Sequence, residues 1–129
     1  MHDLGVDIVE IARVRRAVER HGAGFRRRVF TTTEWEQCGQ SFASLAGRFA
    51  AKEAVMKSLG TGGMRFAEIE IVRMHSGQPR VRLYGKTAER AQNLGVRSIS
   101  ISISHSRDSA VAVAFASDEE ASNVAVPLY

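Results

Sequence analysis

Glu53 and Lys57 lie four residues apart in the stretch FASLAGRFAAKEAVMKSL, so on a helix they share one face. As a solvated i,i+4 pair they would contribute only a few tenths of a kcal/mol. The surrounding residues are small and apolar, however, and Lys52 points into the apolar stripe. Burying a charge alone is expensive, so charges in such a setting normally pair or bind something. A carboxylate beside lysines could hold a metal ion while the lysines hold its anionic ligand. Asp7 is a second acid of interest, because aspartate is depleted in strands and this one sits in LGVDIV, on the face opposite Val6 and Ile8. It reads either as an exposed position on a half-wet sheet or as a ligand for a hard cation. Mg²⁺ commonly takes one or two carboxylates plus substrate phosphates and waters. Nothing in the spacing alone brings Asp7 to Glu53.

Gly60-Thr61-Gly62-Gly63 follows this helix. Glycines let backbone amides approach a phosphate, but the turn lies at a helix C-terminus, whose partial charge is wrong for an anion. A plain glycine cap explains it locally. His105 ends the alternating strand in SISHSRDS and is either solvated or a hydrogen-bond partner for a phosphate or sugar. His2, His21 and His75 have no ligand spacing. No GxSxG elbow, HExxH, Walker loop or dinucleotide fingerprint is present.

The chain is basic, with 18 Lys and Arg against 14 Asp and Glu. Fifteen of those cations are arginine, and seven of these fall between Arg13 and Arg28. Arginine grips carboxylates and phosphates in bidentate geometry, so a local cluster points to an acidic partner or a phosphate-bearing ligand. A single cysteine, Cys38, excludes an internal disulfide and a cysteine-based zinc site, and a reducing cytoplasm is the expected compartment. No apolar run approaches the roughly 20 residues of a membrane span, and the first residues lack a signal-peptide pattern.

These residues must be positioned by elements that the pattern predicts. The 129 residues suit one domain, with 117–129 a loose tail or an edge strand around Val124–Val126. Leu4 to Val9 reads as a strand. A helix from Ile11 to His21 sets Ile11, Val14 and Val18 on one side and Arg13, Arg16 and Arg20 on the other, with Gly22 as its stop. Phe25 to Phe30 makes another helical turn. Thr31-x-x-Glu34 fits a capping box opening a short helix toward Cys38, interrupted at Gly39. Phe42 to Leu59 is the strongest helix, apolar nearly all round and so buried. Ala67–Arg73 and Val81–Tyr84 form a hairpin, Lys86–Leu94 a helix, and Ser98–Ser104 with Val111–Phe115 a second hairpin. The order specifies an α+β fold, a mostly antiparallel sheet packed against a long buried helix.

Taken together, Gly5-Val6-Asp7-Ile8 with Ile11, then Gly47-Arg48-Phe49-Ala50-Ala51-Lys52-Glu53-Ala54 with Lys57, and Ser102-Ile103-Ser104-His105-Ser106 resemble the small bacterial holo-[acyl-carrier-protein] synthases among 4′-phosphopantetheinyl transferases. Phe30-Thr31-x-x-Glu34 and Gly77-x-Pro79 are similar to that family too, and the likeness runs from about residue 4 to 116. It implies transfer of 4′-phosphopantetheine from coenzyme A to a serine of apo-acyl carrier protein, with release of 3′,5′-ADP. It further implies Mg²⁺ on Asp7 and Glu53, phosphate charge stabilised by Lys57, and a nucleotide site lined by Gly60, Thr61 and Gly62. His105 would contact the coenzyme A nucleotide, and Arg48 and Lys52 would face its phosphates. The acidic carrier would dock on Arg13, Arg16, Arg20, Phe25, Arg26 and Arg28. The assembly implied is a homotrimer with active sites between subunits. Glu53 and a metal-bound water both remain open as the base. The carrier's pathway, fatty acid or polyketide, is also open.

The competing reading is a non-enzymatic basic module for nucleic acid or another acidic surface. It accounts for the arginines but leaves Asp7 and Glu53 without purpose. Nor do the nine aromatics interleave with the basic helix as a stacking platform.

Overall fold

A computed structural model of the chain describes residues 2–60, 64–121 and 126–129. β1 (His2–Glu10) runs into α1 (Ile11–Val29), followed by α2 (Thr32–Cys38) and α3 (Phe42–Ser58). A 3₁₀ turn (Phe66–Glu68) leads into β2 (Ile69–Arg73) and β3 (Pro79–Leu83). Next come α4 (Gly85–Asn93), β4 (Ser98–His105) and β5 (Ser109–Ser117). The fold is α+β, as expected, with its strands in two antiparallel sheets, β1-β5-β4 and β2-β3.

The larger sheet is built to receive α3. On β5, Ala110, Ala112, Ala114 and Ala116 all face inward and are buried, beside Val9 of β1 and Ile99 of β4. From α3, Ala46, Ala50, Ala51 and Ala54 meet them, each wholly buried. Small side chains on both surfaces let the helix lie close to the sheet. At Gly5 the approach is closest: a Cβ there would overlap the Ala54 carbonyl oxygen and lie 2.8 Å from the Ser58 amide. Only glycine fits.

This packing decides which face of β1 is inside. Leu4, Val6 and Ile8 stand 66%, 57% and 68% exposed, while Gly5 and Val9 are buried and Asp7 lies on their face. The apolar face of the strand therefore points away from the core. The reading of Asp7 as an exposed position on a half-wet sheet is overturned: its side chain is only 17% exposed.

Other elements fall close to their predicted bounds, with informative differences. The helix expected to stop at Gly22 and the turn from Phe25 form one element, α1, broken at Gly22 (φ 51°, ψ −128°). The capping box at Thr31 is complete: its hydroxyl accepts from Glu34 N, and Glu34 Oε1 accepts from Thr31 N. The strand expected from Ala67 begins only at Ile69. Glu68 is turned instead toward α4, where its Oε1 accepts from the amide and hydroxyl of Thr87 and so satisfies an orphan donor of that helix. The end of the chain is not loose where it is described. Ser117 closes β5, Leu83 N donates to Leu128 O at 2.7 Å, and Tyr129 OH donates to Val96 O at 2.6 Å. Of the expected edge strand, Val124 and Ala125 lie outside the described residues. No helix among the described residues is long and apolar enough to cross a membrane.

Candidate active site

β1 and α3 bring Asp7, Glu53 and Lys57 together. Lys57 Nζ lies 3.1 Å from Asp7 Oδ1 and donates to Val6 O at 3.0 Å. Glu53 sits one helical turn before Lys57 on the same face. Its carboxyl is pushed above the ordinary glutamate value, first by partial burial and then by the negative charge of Asp7; Lys57 and Arg13 pull it back. The two acids, 46 positions apart in sequence, thus share one electrostatic neighbourhood with two cations. Arg13 enters it from α1, so the helix that carries the arginine cluster begins at the acid pair. No local pattern in the sequence joins the arginine cluster to the acid pair.

The donor set fits a hard divalent cation. The charge of Asp7 raises the proton affinity of Glu53, a positive charge between the two would relieve that repulsion, and carboxylate oxygens are the ligand type Mg²⁺ prefers. No group of three or more His, Cys, Asp or Glu side chains suited to a metal occurs among the described residues. A cation on Asp7 and Glu53 would therefore draw its remaining ligands from water and substrate.

Lys52 has a different fate from that expected. It is wholly buried, and its Nζ contacts Glu34 Oε1 at 2.7 Å, Phe66 O at 2.9 Å and Ile69 O at 2.7 Å. Burial lowers its pKa and Glu34 opposes the shift. Three acceptors around one nitrogen call for the three donors that only the ammonium has, so the charged form is held. With every donor engaged inside the fold, Lys52 cannot face coenzyme A phosphates. That expectation is withdrawn. Lys52 instead ties α3 to the capping box of α2 and to the start of β2.

Arg48 is also structural in part. Its Nη1 donates to Ile71 O at 2.8 Å and Gln37 Oε1 at 3.0 Å, and burial lowers its pKa. It borders a cleft of about 170 Å³ whose walls include Gly47, Arg73, Pro79 and His105. His105 itself is exposed, with Nδ1 3.3 Å from Ser106 O. Arg48 and His105 therefore share one cleft, and Asp7 is not among its lining residues. Across the larger sheet Asp7 aligns with Ala112 and Ile103, so His105 lies two strands over and two residues along. That places it roughly 12 Å from Asp7, at about 4.8 Å per strand and 3.4 Å per residue.

Among the remaining predicted residues, Gly60 ends α3 with φ 80°, while Thr61 and Gly62 lie outside the described residues. Arg13, Arg16, Arg20 and Arg28 are exposed on α1. Arg26 lies over the Trp35 ring at 4.7 Å, and Phe25 meets Phe30 edge-on at 6.1 Å.

Comparison with known proteins identifies the family of the chain. A family model described as the 4′-phosphopantetheinyl transferase superfamily matches residues 3–121. The chain is 45% identical over 117 residues to holo-[acyl-carrier-protein] synthase of Herpetosiphon aurantiacus, covering 84% of this chain and 92% of that one. With the synthase of Ruminiclostridium cellulolyticum it shares 48% over 118 residues, covering 86% and 88%. The crystal structure of Helicobacter pylori holo-[acyl-carrier-protein] synthase in complex with coenzyme A superposes with a TM-score of 0.81 at 34% identity, over 88% of this chain and 99% of that one.

Proposed function

Because the chain belongs to the 4′-phosphopantetheinyl transferase superfamily, we propose that it transfers 4′-phosphopantetheine from coenzyme A to a serine of an apo-acyl carrier protein. The observation that carries this reading is the convergence of Asp7, Glu53 and Lys57 from two distant segments. In the reaction, the serine oxygen forms a bond to the β-phosphorus of coenzyme A. The bridging bond to the α-phosphate breaks, and 3′,5′-ADP leaves with the electron pair. Glu53 is the residue of this chain that would take the serine proton, on a carboxylate oxygen that the ion leaves free.

Asp7 and Glu53 are the residues that would hold Mg²⁺. Bound there, the ion would neutralise pyrophosphate charge, the main demand of phosphoryl-type transfer. Lys57 keeps its ammonium on Asp7 and adds a second positive charge at the same place. Arg13 connects this centre to the carrier. An acidic protein docked along Arg13, Arg16, Arg20 and Arg28, with Phe25 and Arg26 beside them, would bring its serine to the acid pair. Such pairing mainly accelerates association and weakens with salt.

Arg48 and His105, in their separate cleft, serve coenzyme A in this proposal, together with the turn that starts at Gly60. One chain holds Arg48 and His105 apart from the acid pair. A second copy seated on the exposed Leu4, Val6 and Ile8 face of β1 would bring a neighbour's cleft toward the acid pair, consistent with a homotrimer and intersubunit sites. The compartment in this reading is the cytoplasm.

The direct test is a mixture of the protein, coenzyme A, Mg²⁺ and an apo-acyl carrier protein, read by intact mass. The carrier should gain one phosphopantetheine and 3′,5′-ADP should appear in equal amount. An unmodified carrier, with folded protein and metal present, rules the proposal out.

A further inference from the structure

Two cations on α3, Arg48 and Lys52, are buried one helical turn apart and held in opposite ways. Lys52 gives its charge to the carboxylate of Glu34. Arg48, only 5% exposed, is held by neutral acceptors: the two N–H groups of its Nη1 go to Ile71 O and Gln37 Oε1. Its Nε and Nη2 make no hydrogen bond to a described residue, and the side chain borders the cleft of about 170 Å³. A buried guanidinium with open donors on a cavity calls for an acceptor from outside the chain. Arg73 and His105 line the same cleft, and no acid is among its described lining residues. Two guanidiniums and an imidazole without a carboxylate suit a phosphate group.

Gln37 of α2 holds both arginines. Besides accepting from Arg48, its Oε1 accepts from Arg73 N at 2.9 Å. Its Nε2 donates to Arg73 O at 3.2 Å, and its backbone oxygen accepts from Arg73 Nη2 at 2.8 Å. The side-chain amide thus grips the Arg73 backbone on both sides, which takes one acceptor and one donor. A carboxylate in its place could not donate to Arg73 O and would neutralise Arg48. Gln37 is not among the residues lining the cleft, so it acts through those that are.

We propose that Gln37 is a positioning residue for coenzyme A: it fixes Arg48 and Arg73 on one cleft with neutral atoms, so that both positive charges stay available to a phosphate group. This rests on the transferase reading above, which gives the cleft coenzyme A as its ligand.

Gln37→Met and Gln37→Glu, in the full chain, test it by steady-state kinetics, calorimetric titration with coenzyme A and thermal melting. Gln37→Met removes the tether. Its coenzyme A KM should rise about tenfold, the worth of one hydrogen bond to a charged group, with kcat and the carrier KM within about twofold. Gln37→Glu keeps the acceptor and adds ion pairs to the arginines. It should melt above Gln37→Met and yet bind coenzyme A at least about tenfold more weakly than wild type, because the new carboxylate takes the charge meant for phosphate. A purely structural role would not separate melting from binding in this way. A coenzyme A KM unchanged in Gln37→Met overturns the proposal, and so does wild-type coenzyme A binding by Gln37→Glu. A wild type that binds coenzyme A but never modifies the carrier sinks the transferase reading instead, and the titrations would still decide the role of Gln37.

Discussion

Gly5 of β1 lies directly against the backbone carbonyl of Ala54 in α3, with no room for even a methyl group between them. That contact sets the distance between the strand carrying Asp7 and the helix carrying Glu53 and Lys57. Gly5→Ala forces backbone against backbone, which flexible side chains cannot relieve. We expect a cost at the upper end of the about 1–3 kcal/mol typical of overpacking. Activity should fall further than the loss of folded protein explains, because Asp7 moves with β1. Chemical denaturation and turnover per folded molecule would measure both. A variant with normal stability and turnover would show that the close approach does not position the acids.

Lys52 and Glu34 form a wholly buried ion pair, so removing either partner strands the other charge. Lys52→Met should destabilise the protein by about 3–5 kcal/mol, and Glu34→Gln by a similar or smaller amount. Combining Lys52→Met with Glu34→Leu should cost less than the sum of the two single changes, since both charges leave together. The coenzyme A KM of whatever protein remains folded should stay near the wild-type value. A large KM effect in a stable Lys52→Met variant would return this residue to the coenzyme A site.

The fate of Lys52 also shows how far the sequence reached. The buried helix, the capping box and the unusual setting of Lys52 were all legible, because each depends on residues within one or two turns of chain. Its partner was not: Glu34 lies 18 positions earlier, in another helix. The same limit applies to Asp7. Alternation separated Asp7 from Val6 and Ile8, but the usual rule, apolar side inward, fails in a strand whose apolar side is 57–68% exposed. The row of alanines on β5 explains the inversion, since small residues there admit α3 against the glycine side of β1. That pairing joins the first strand to the last, across more than 100 residues. Arg13 was singled out for docking by its place in the basic helix and by the resemblance to the family. Its influence on Glu53 follows from how α1 leaves the end of β1, which no local pattern encodes.

Glu53 gives a pH-dependent prediction with a definite sign. Its carboxyl holds its proton more tightly in the folded chain than in the unfolded one, through burial first and Asp7 second. Stability therefore declines as pH rises from the ordinary glutamate range through the folded value. Glu53→Gln removes that decline. The variant should melt with wild type below about pH 4, where both states are protonated, and melt higher at pH 7. Mg²⁺ should act in the other direction: at ten times its Kd it stabilises wild type by about 1.4 kcal/mol. Glu53→Gln should lose most of this gain, and its transfer rate should fall by about a hundredfold or more. Superimposable melting curves for the two proteins at pH 7, with equal responses to Mg²⁺, would contradict the assignment.

The separation of His105 from Asp7 within one chain makes the shared-site arrangement testable without a structure of the assembly. If a site takes Glu53 from one subunit and His105 from its neighbour, Glu53→Gln and His105→Ala damage different halves. Each variant alone is then impaired at every site. Mixed in equal amounts, unfolded together and refolded, the chains assort randomly. About a quarter of the sites then pair an intact Glu53 with an intact His105, so transfer should recover to about a quarter of the wild-type rate. If copies pack through the exposed face of β1, Val6→Asp should abolish both the recovery and any oligomer that light scattering detects in the wild type, because it sets a charge on that apolar face. Sites built within single chains give a different result: every molecule in the mixture carries one lesion, and activity stays at the mean of the two variants.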